Sequence, residues 1–131
     1  MSLYLTLARR SALALACSAA LLACSKSESH SSALEVAIPP APPGVKQTKV
    51  VVDEKGFSPS KVELTKAEPA SLVFVRTSDA TCATEVVFPE LKLEKELPLN
   101  TPVRIDIPTT EARTLTFQCG MGMYKSAVLI Q

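Results

Sequence analysis

The feature that most restricts this chain is a period of two that begins near residue 47 and runs to the C-terminus. Val103, Ile105 and Ile107 alternate with Arg104 and Asp106. Leu115, Phe117 and Cys119 alternate with Thr114, Thr116 and Gln118, and Leu72 and Phe74 alternate with Ser71, Val73 and Val75. Successive strand side chains point to opposite faces, so each set predicts a strand with one buried face. Pro59, Pro69, Pro89, Pro98, Pro102 and Pro108 fall at the ends of these runs, where a missing amide donor does least harm. No helical period follows the first 23 residues. Strands are predicted at 47–53, 60–65, 71–77, 84–88, 92–97, 102–107, 113–119 and 126–131. Seven or eight short strands in about 85 residues predict an all-β, Greek-key β-sandwich.

The chain has 131 residues, enough for one domain with a modest core. Residues 1–23 read as an export signal: Arg9 and Arg10 precede the apolar run SALALACSAALLAC, too short to span a bilayer as a mature helix. Its end, Leu21-Leu22-Ala23-Cys24, resembles the bacterial lipobox, in which the cysteine receives diacylglycerol and becomes the new N-terminus. Cys24 is the expected lipidation site. An ordinary signal peptide cut nearby is the alternative, and Ala14-Leu15-Ala16-Cys17 is a weaker candidate because it interrupts the run. The expected location is the bacterial cell envelope, lipid-anchored and facing the periplasm or the outside. Losing Arg9 and Arg10 leaves 12 basic against 13 acidic residues, a net charge of −1. No stretch supplies the clustered positive charge that displaces counterions from a polyanion, which argues against a nucleic-acid binder.

Residues 24–46 read as a Ser/Pro-rich tether, extended where prolines hold it, at up to about 3 Å per residue. It contains His30, the chain's one histidine. A solvated tail imidazole without organised partners is a poor metal site. The folded domain is expected to span 47–131.

That domain holds two cysteines, Cys82 and Cys119, 37 residues apart, and two methionines, both in Cys119-Gly120-Met121-Gly122-Met123. In an oxidising compartment a Cys82–Cys119 disulfide stapling two strands is the structural reading. Methionine placement points elsewhere. Met acting as core filler would be scattered through strands, not paired around a glycine. Thiolate and thioether sulfur are soft donors that favour Cu(I) over Mg, Ca or Mn, and a zinc site would want four Cys or His ligands, which the domain lacks. Cys82, Cys119, Met121 and Met123 are therefore the candidate metal ligands, for one or two Cu(I) ions. Gly120 and Gly122 let the backbone turn sharply, in a ligand loop or in a plain hairpin. Glu85, three residues after Cys82, is a hard oxygen and suits a supporting position near the metal, or a solvated strand start, better than direct ligation. Tyr124 and Lys125 read as a rim.

GFSPSKVEL (56–64), TCATEVVFP (81–89) and FQCGMGMYKSAVLI (117–130) together resemble cupredoxin-like domains, over essentially all of residues 47–131. In a blue copper protein of that fold, a histidine precedes the fourth strand and the last loop supplies cysteine, histidine and usually methionine. The corresponding segments here read Cys82-Ala83-Thr84-Glu85 and Cys119-Gly120-Met121-Gly122-Met123, with histidine in neither. A blue site needs two histidines and a cysteine, so electron transfer of that kind is disfavoured. The sequence is similar to the subgroup whose Cys and Cys-x-Met-x-Met residues hold Cu(I) and pass it on, sometimes as a two-copper cluster. That resemblance implies copper homeostasis, with a copper donor or acceptor such as a copper transporter as partner. Cys82 and Cys119 would form the tight site as thiolates, and the methionines would be weaker, exchangeable donors. No acid–base pair or nucleophile–base set is present, so no enzyme activity is expected. An electron-transfer module with a nonstandard copper centre, and a structural lipoprotein domain with a Cys82–Cys119 disulfide, are the competing readings.

Overall fold

The computed structural model describes residues 36–131. The signal peptide, Cys24, His30 and the first part of the tether lie outside the described residues. Residues 36–45 are irregular, ending in a turn in which Val45 N–H donates to the Pro42 carbonyl at 3.1 Å. Nine strands follow: β1 (Lys46–Asp53), β2 (Gly56–Ser58), β3 (Lys61–Leu64), β4 (Ala70–Arg76), β5 (Glu85–Phe88), β6 (Leu93–Glu96), β7 (Pro102–Ile107), β8 (Arg113–Cys119) and β9 (Lys125–Ile130). A 3-10 turn at Pro89–Leu91 joins β5 to β6.

The strands form two mixed sheets, ordered β2-β1-β4-β7 and β3-β9-β8-β5-β6. The pairs β1–β4 and β3–β9 are parallel and the others antiparallel. The all-β sandwich expected from the alternation is therefore present. Eight of the strands fall where the sequence predicts them, within a few residues. β2 is additional: three residues are too few to display a period.

A second departure concerns β4. The alternation predicts one buried face, yet all seven residues are buried. The strand is central, and its register explains the covered outer face: Val73 stands between Lys49 of β1 and Arg104 of β7, and Val75 between Val51 and Pro102. Long basic side chains lay their methylene stems over such neighbours while their heads stay in water.

The inner faces meet around the chain's four phenylalanines. Phe117 lies 5.0 Å from Phe57 and 5.4 Å from Phe74, centroid to centroid and edge to face, and 5.4 Å from Phe88 in a stacked arrangement. Edge-to-face and offset pairs contribute about 0.5–1.5 kcal/mol each beyond area burial. The inward positions of β8 are Leu115, Phe117 and Cys119, all fully buried. The aromatic cluster thus fixes the strand two residues before Cys119, and Cys119 is the last inward residue at that end of the sandwich.

Candidate metal centre

Two loops from that end carry the sulfurs. The first, residues 77–84 between β4 and β5, presents Cys82. Its start is tied to the end of β1 by Thr77 N–H donating to the Val52 carbonyl at 3.0 Å, and its end to the residue just after β6 by Leu97 N–H donating to the Thr84 carbonyl at 2.8 Å. Thr81 and Ala83 are buried on either side of Cys82, and Thr81 Oγ1 accepts the Ala83 N–H at 3.2 Å. Cys82 itself is half-buried. Buried neighbours on both sides leave its side chain few directions.

The second loop joins β8 to β9 and holds Met121 and Met123. Cys119 N–H donates to the Tyr124 carbonyl at 3.1 Å, Gly122 N–H to the Cys119 carbonyl at 2.7 Å, and Tyr124 N–H to Cys119 Sγ at 3.4 Å. The two glycines serve different purposes. Gly122 has φ +68°, a left-handed conformation that costs glycine little. At Gly120 the constraint is space, because a Cβ there would lie 2.8 Å from Cγ of Glu85 and closer still to its carboxyl.

The loops bring Cys82 Sγ and Met123 Sδ to 4.0 Å. Two sulfurs each about 2.3 Å from one ion and subtending a trigonal angle stand ~4 Å apart, so this separation suits a shared metal. Cys119 is buried, and Met121 and Met123 are 72% and 68% exposed, among the most exposed large apolar side chains described. Both cysteines are free thiols, so the sandwich closes without the Cys82–Cys119 staple. Among the described residues, no three His, Cys, Asp or Glu side chains converge as a metal cluster.

Glu85 lies beside the second loop, its carboxyl against Gly120. Glu94 hydrogen-bonds it across the β5–β6 hairpin and repels its charge; with some desolvation and the charge of Glu96, this raises the Glu85 carboxyl above the usual glutamate range. It therefore belongs to an acidic hairpin flanking the loop. Tyr124 is more than a rim. Its ring packs on Gly56, and its hydroxyl donates to the Glu54 carbonyl at 2.7 Å. Nothing in the local sequence signals that contact, which joins positions 70 residues apart.

The family described as Cupredoxin-like domain matches residues 13–130. No curated protein sequence matches the chain. Among solved structures, the chain is similar to a copper-binding protein determined by NMR in the apo form, with 27% identity, TM-score 0.62, and 70% of this chain and 93% of that one covered. It is also similar to the metal-binding domain of the Cu(I)-exporting P-type ATPase CopA of Streptococcus pneumoniae, solved with Cu(I): 25% identity, TM-score 0.63, and 70% and 91% covered. Reduced auracyanin from Roseiflexus castenholzii shares the fold at 11% identity and TM-score 0.54, over 66% of this chain and 97% of that one. The two-sheet sandwich and the family match across most of the sequence lead to one assignment: the chain belongs to the cupredoxin-like domain family.

Proposed function

We propose that this protein is a lipid-anchored Cu(I) carrier that binds the ion through Cys82, Cys119, Met121 and Met123 and exchanges it with a copper donor or acceptor. The observation that carries this reading is the 4.0 Å approach of Cys82 Sγ to Met123 Sδ, at the end of the sandwich where Cys119 terminates β8. Soft donors at the end of β8 and on the two neighbouring loops, in a domain without histidine, suit Cu(I) better than a harder ion. The similarity to a domain solved with Cu(I) supports the same choice.

The division of labour follows from exposure. Cys119 lies inside, with the Tyr124 N–H directed at its sulfur. Met121 and Met123 lie outside. Methionine is uncharged at every pH, so an exposed pair can take up or release Cu(I) without stranding a charge. The function is binding and exchange with no catalytic step, and anchoring through Cys24 would place the domain at the envelope membrane, with transporters of the ion as partners.

Competition checks the metal. A soluble form lacking the first 24 residues is expected to retain Cu(I) against an equal concentration of Zn(II). Displacement by zinc would overturn the sulfur-site reading.

A further inference from the structure

A third loop, which carries no sulfur, touches both ligand loops. It is the β1–β2 turn, Asp53 to Gly56. Asp53 Oδ1 accepts the Lys55 N–H at 2.8 Å, which closes the turn on itself, and Gly56 follows with φ +105°. From this turn the Glu54 carboxylate accepts a hydrogen bond from the Ser78 hydroxyl, and Ser78 belongs to the loop that presents Cys82. The Ser78 oxygen in turn accepts the Ala80 N–H at 3.1 Å, carrying the constraint two residues closer to Cys82. The backbone carbonyl of the same Glu54 accepts the Tyr124 hydroxyl, and Tyr124 closes the loop that presents Cys119, Met121 and Met123. Gly56 completes the seat, since a Cβ there would lie 2.8 Å from Cδ1 of the Tyr124 ring.

We propose that Glu54 is a positioning residue for the metal centre, a bracket whose side chain holds the Cys82 loop and whose carbonyl holds the Cys119–Met123 loop, fixing the sulfur separation before copper arrives. This rests on the Cu(I) reading above. The Cys82 loop crosses from β4 in the four-stranded sheet to β5 in the five-stranded sheet, and the other loop joins β8 to β9 in the latter. Sulfurs presented from two separate loops must be ordered relative to each other when the ion binds. A bracket that orders them in advance removes that cost from binding and slows release. The hydrogen bond from Ser78 also holds the Glu54 carboxyl below the usual glutamate range, as expected of a carboxylate that stays charged while it accepts.

The two arms act in series, which gives the proposal a signature that general destabilisation lacks. The Cys82 loop is also tied to β1 through Thr77 and the Val52 carbonyl, but Glu54 is the residue that links it to Tyr124; breaking either arm removes that link, so breaking the second should add little. Ser78→Ala removes the carboxylate arm. Tyr124→Phe removes the carbonyl arm and leaves the ring on Gly56. Each single variant is expected to release Cu(I) to a chelator about tenfold faster than the parent, within the range typical of groups that support metal ligands. The double variant should match the singles instead of multiplying them. Glu54→Ala should behave like Ser78→Ala, whereas Glu54→Gln, which keeps an acceptor oxygen, should restore near-parental release.

Hydrogen exchange in the copper-free proteins gives a readout independent of the metal. The Gly122 and Tyr124 amides should exchange faster in each single variant, and no faster again in the double. Uptake of no Cu(I) by the parent would overturn the copper reading. Parental release and exchange rates in the single variants, or effects that multiply in the double variant, would overturn the bracket while leaving the copper reading in place.

Discussion

At the scale of single residues, the sulfurs are expected to contribute unequally. Cys82→Ser or Cys119→Ser replaces an anionic thiolate with a hydroxyl that Cu(I) binds poorly, and each should weaken affinity at least ~100-fold, the upper end of what even the loss of groups behind the ligands costs. Met121→Leu and Met123→Leu keep size and apolarity and remove only a neutral donor, and each should cost about tenfold or less. Met123 is the methionine that contacts Cys82, so it should cost more than Met121. Chelator competition on the four variants measures the series; serine variants that bind like the parent would remove the thiolates from the site. All four candidate ligands are legible in the sequence, because soft side chains are scarce in the domain and three of them stand within five residues. Glu54, Ser78 and Tyr124 are not legible. Their contacts span 24 and 70 residues, and no local pattern brings such positions together.

At the scale of elements, the β5–β6 hairpin gives Glu85 acidic neighbours as well as a place beside the second loop. Glu85 stands three residues from Cys82 with its carboxyl against Gly120, while the cross-strand register sets it opposite Glu96 and its side chain bonds Glu94. Pairing like charges across a hairpin destabilises it. Because the folded-state value for Glu85 lies above 4.5, the folded protein binds more protons than the unfolded chain between 4.5 and that raised value. Stability should therefore fall as pH climbs through this window and stay lower above it. Glu85→Gln should raise the melting temperature at neutral pH, and the gain should vanish once pH drops below 4.5. Thermal melts of both proteins across that range check the sign; a variant that melts lower at neutral pH would contradict it. The strands themselves were mostly legible because one-sided burial writes a period of two into β7, β8 and β9. β2 escaped because it is short, and the outer face of β4 because flanking strands cover it, a property of sheet order that one strand's sequence does not carry.

At the scale of the whole molecule, the proposed anchor at Cys24 and the proposed metal loops can be tested apart. The Cys24→Ser variant is expected to move from the membrane fraction to the soluble fraction while binding Cu(I) as the parent does. An unchanged distribution would show that Cys24 carries no lipid. Within the sandwich, a core of four packed phenylalanines lies beside the fully buried Cys119, and Met121 and Met123 remain in solvent. X-ray absorption at the copper edge, on the Cu(I)-loaded soluble domain, reads the nearest atoms around the ion. A shell of sulfur alone, diminished in the Cys82→Ser and Cys119→Ser variants, is the expected result. A first shell containing nitrogen or oxygen from the protein, or a sulfur shell unchanged by both substitutions, would contradict Cu(I) carriage by these cysteines and methionines.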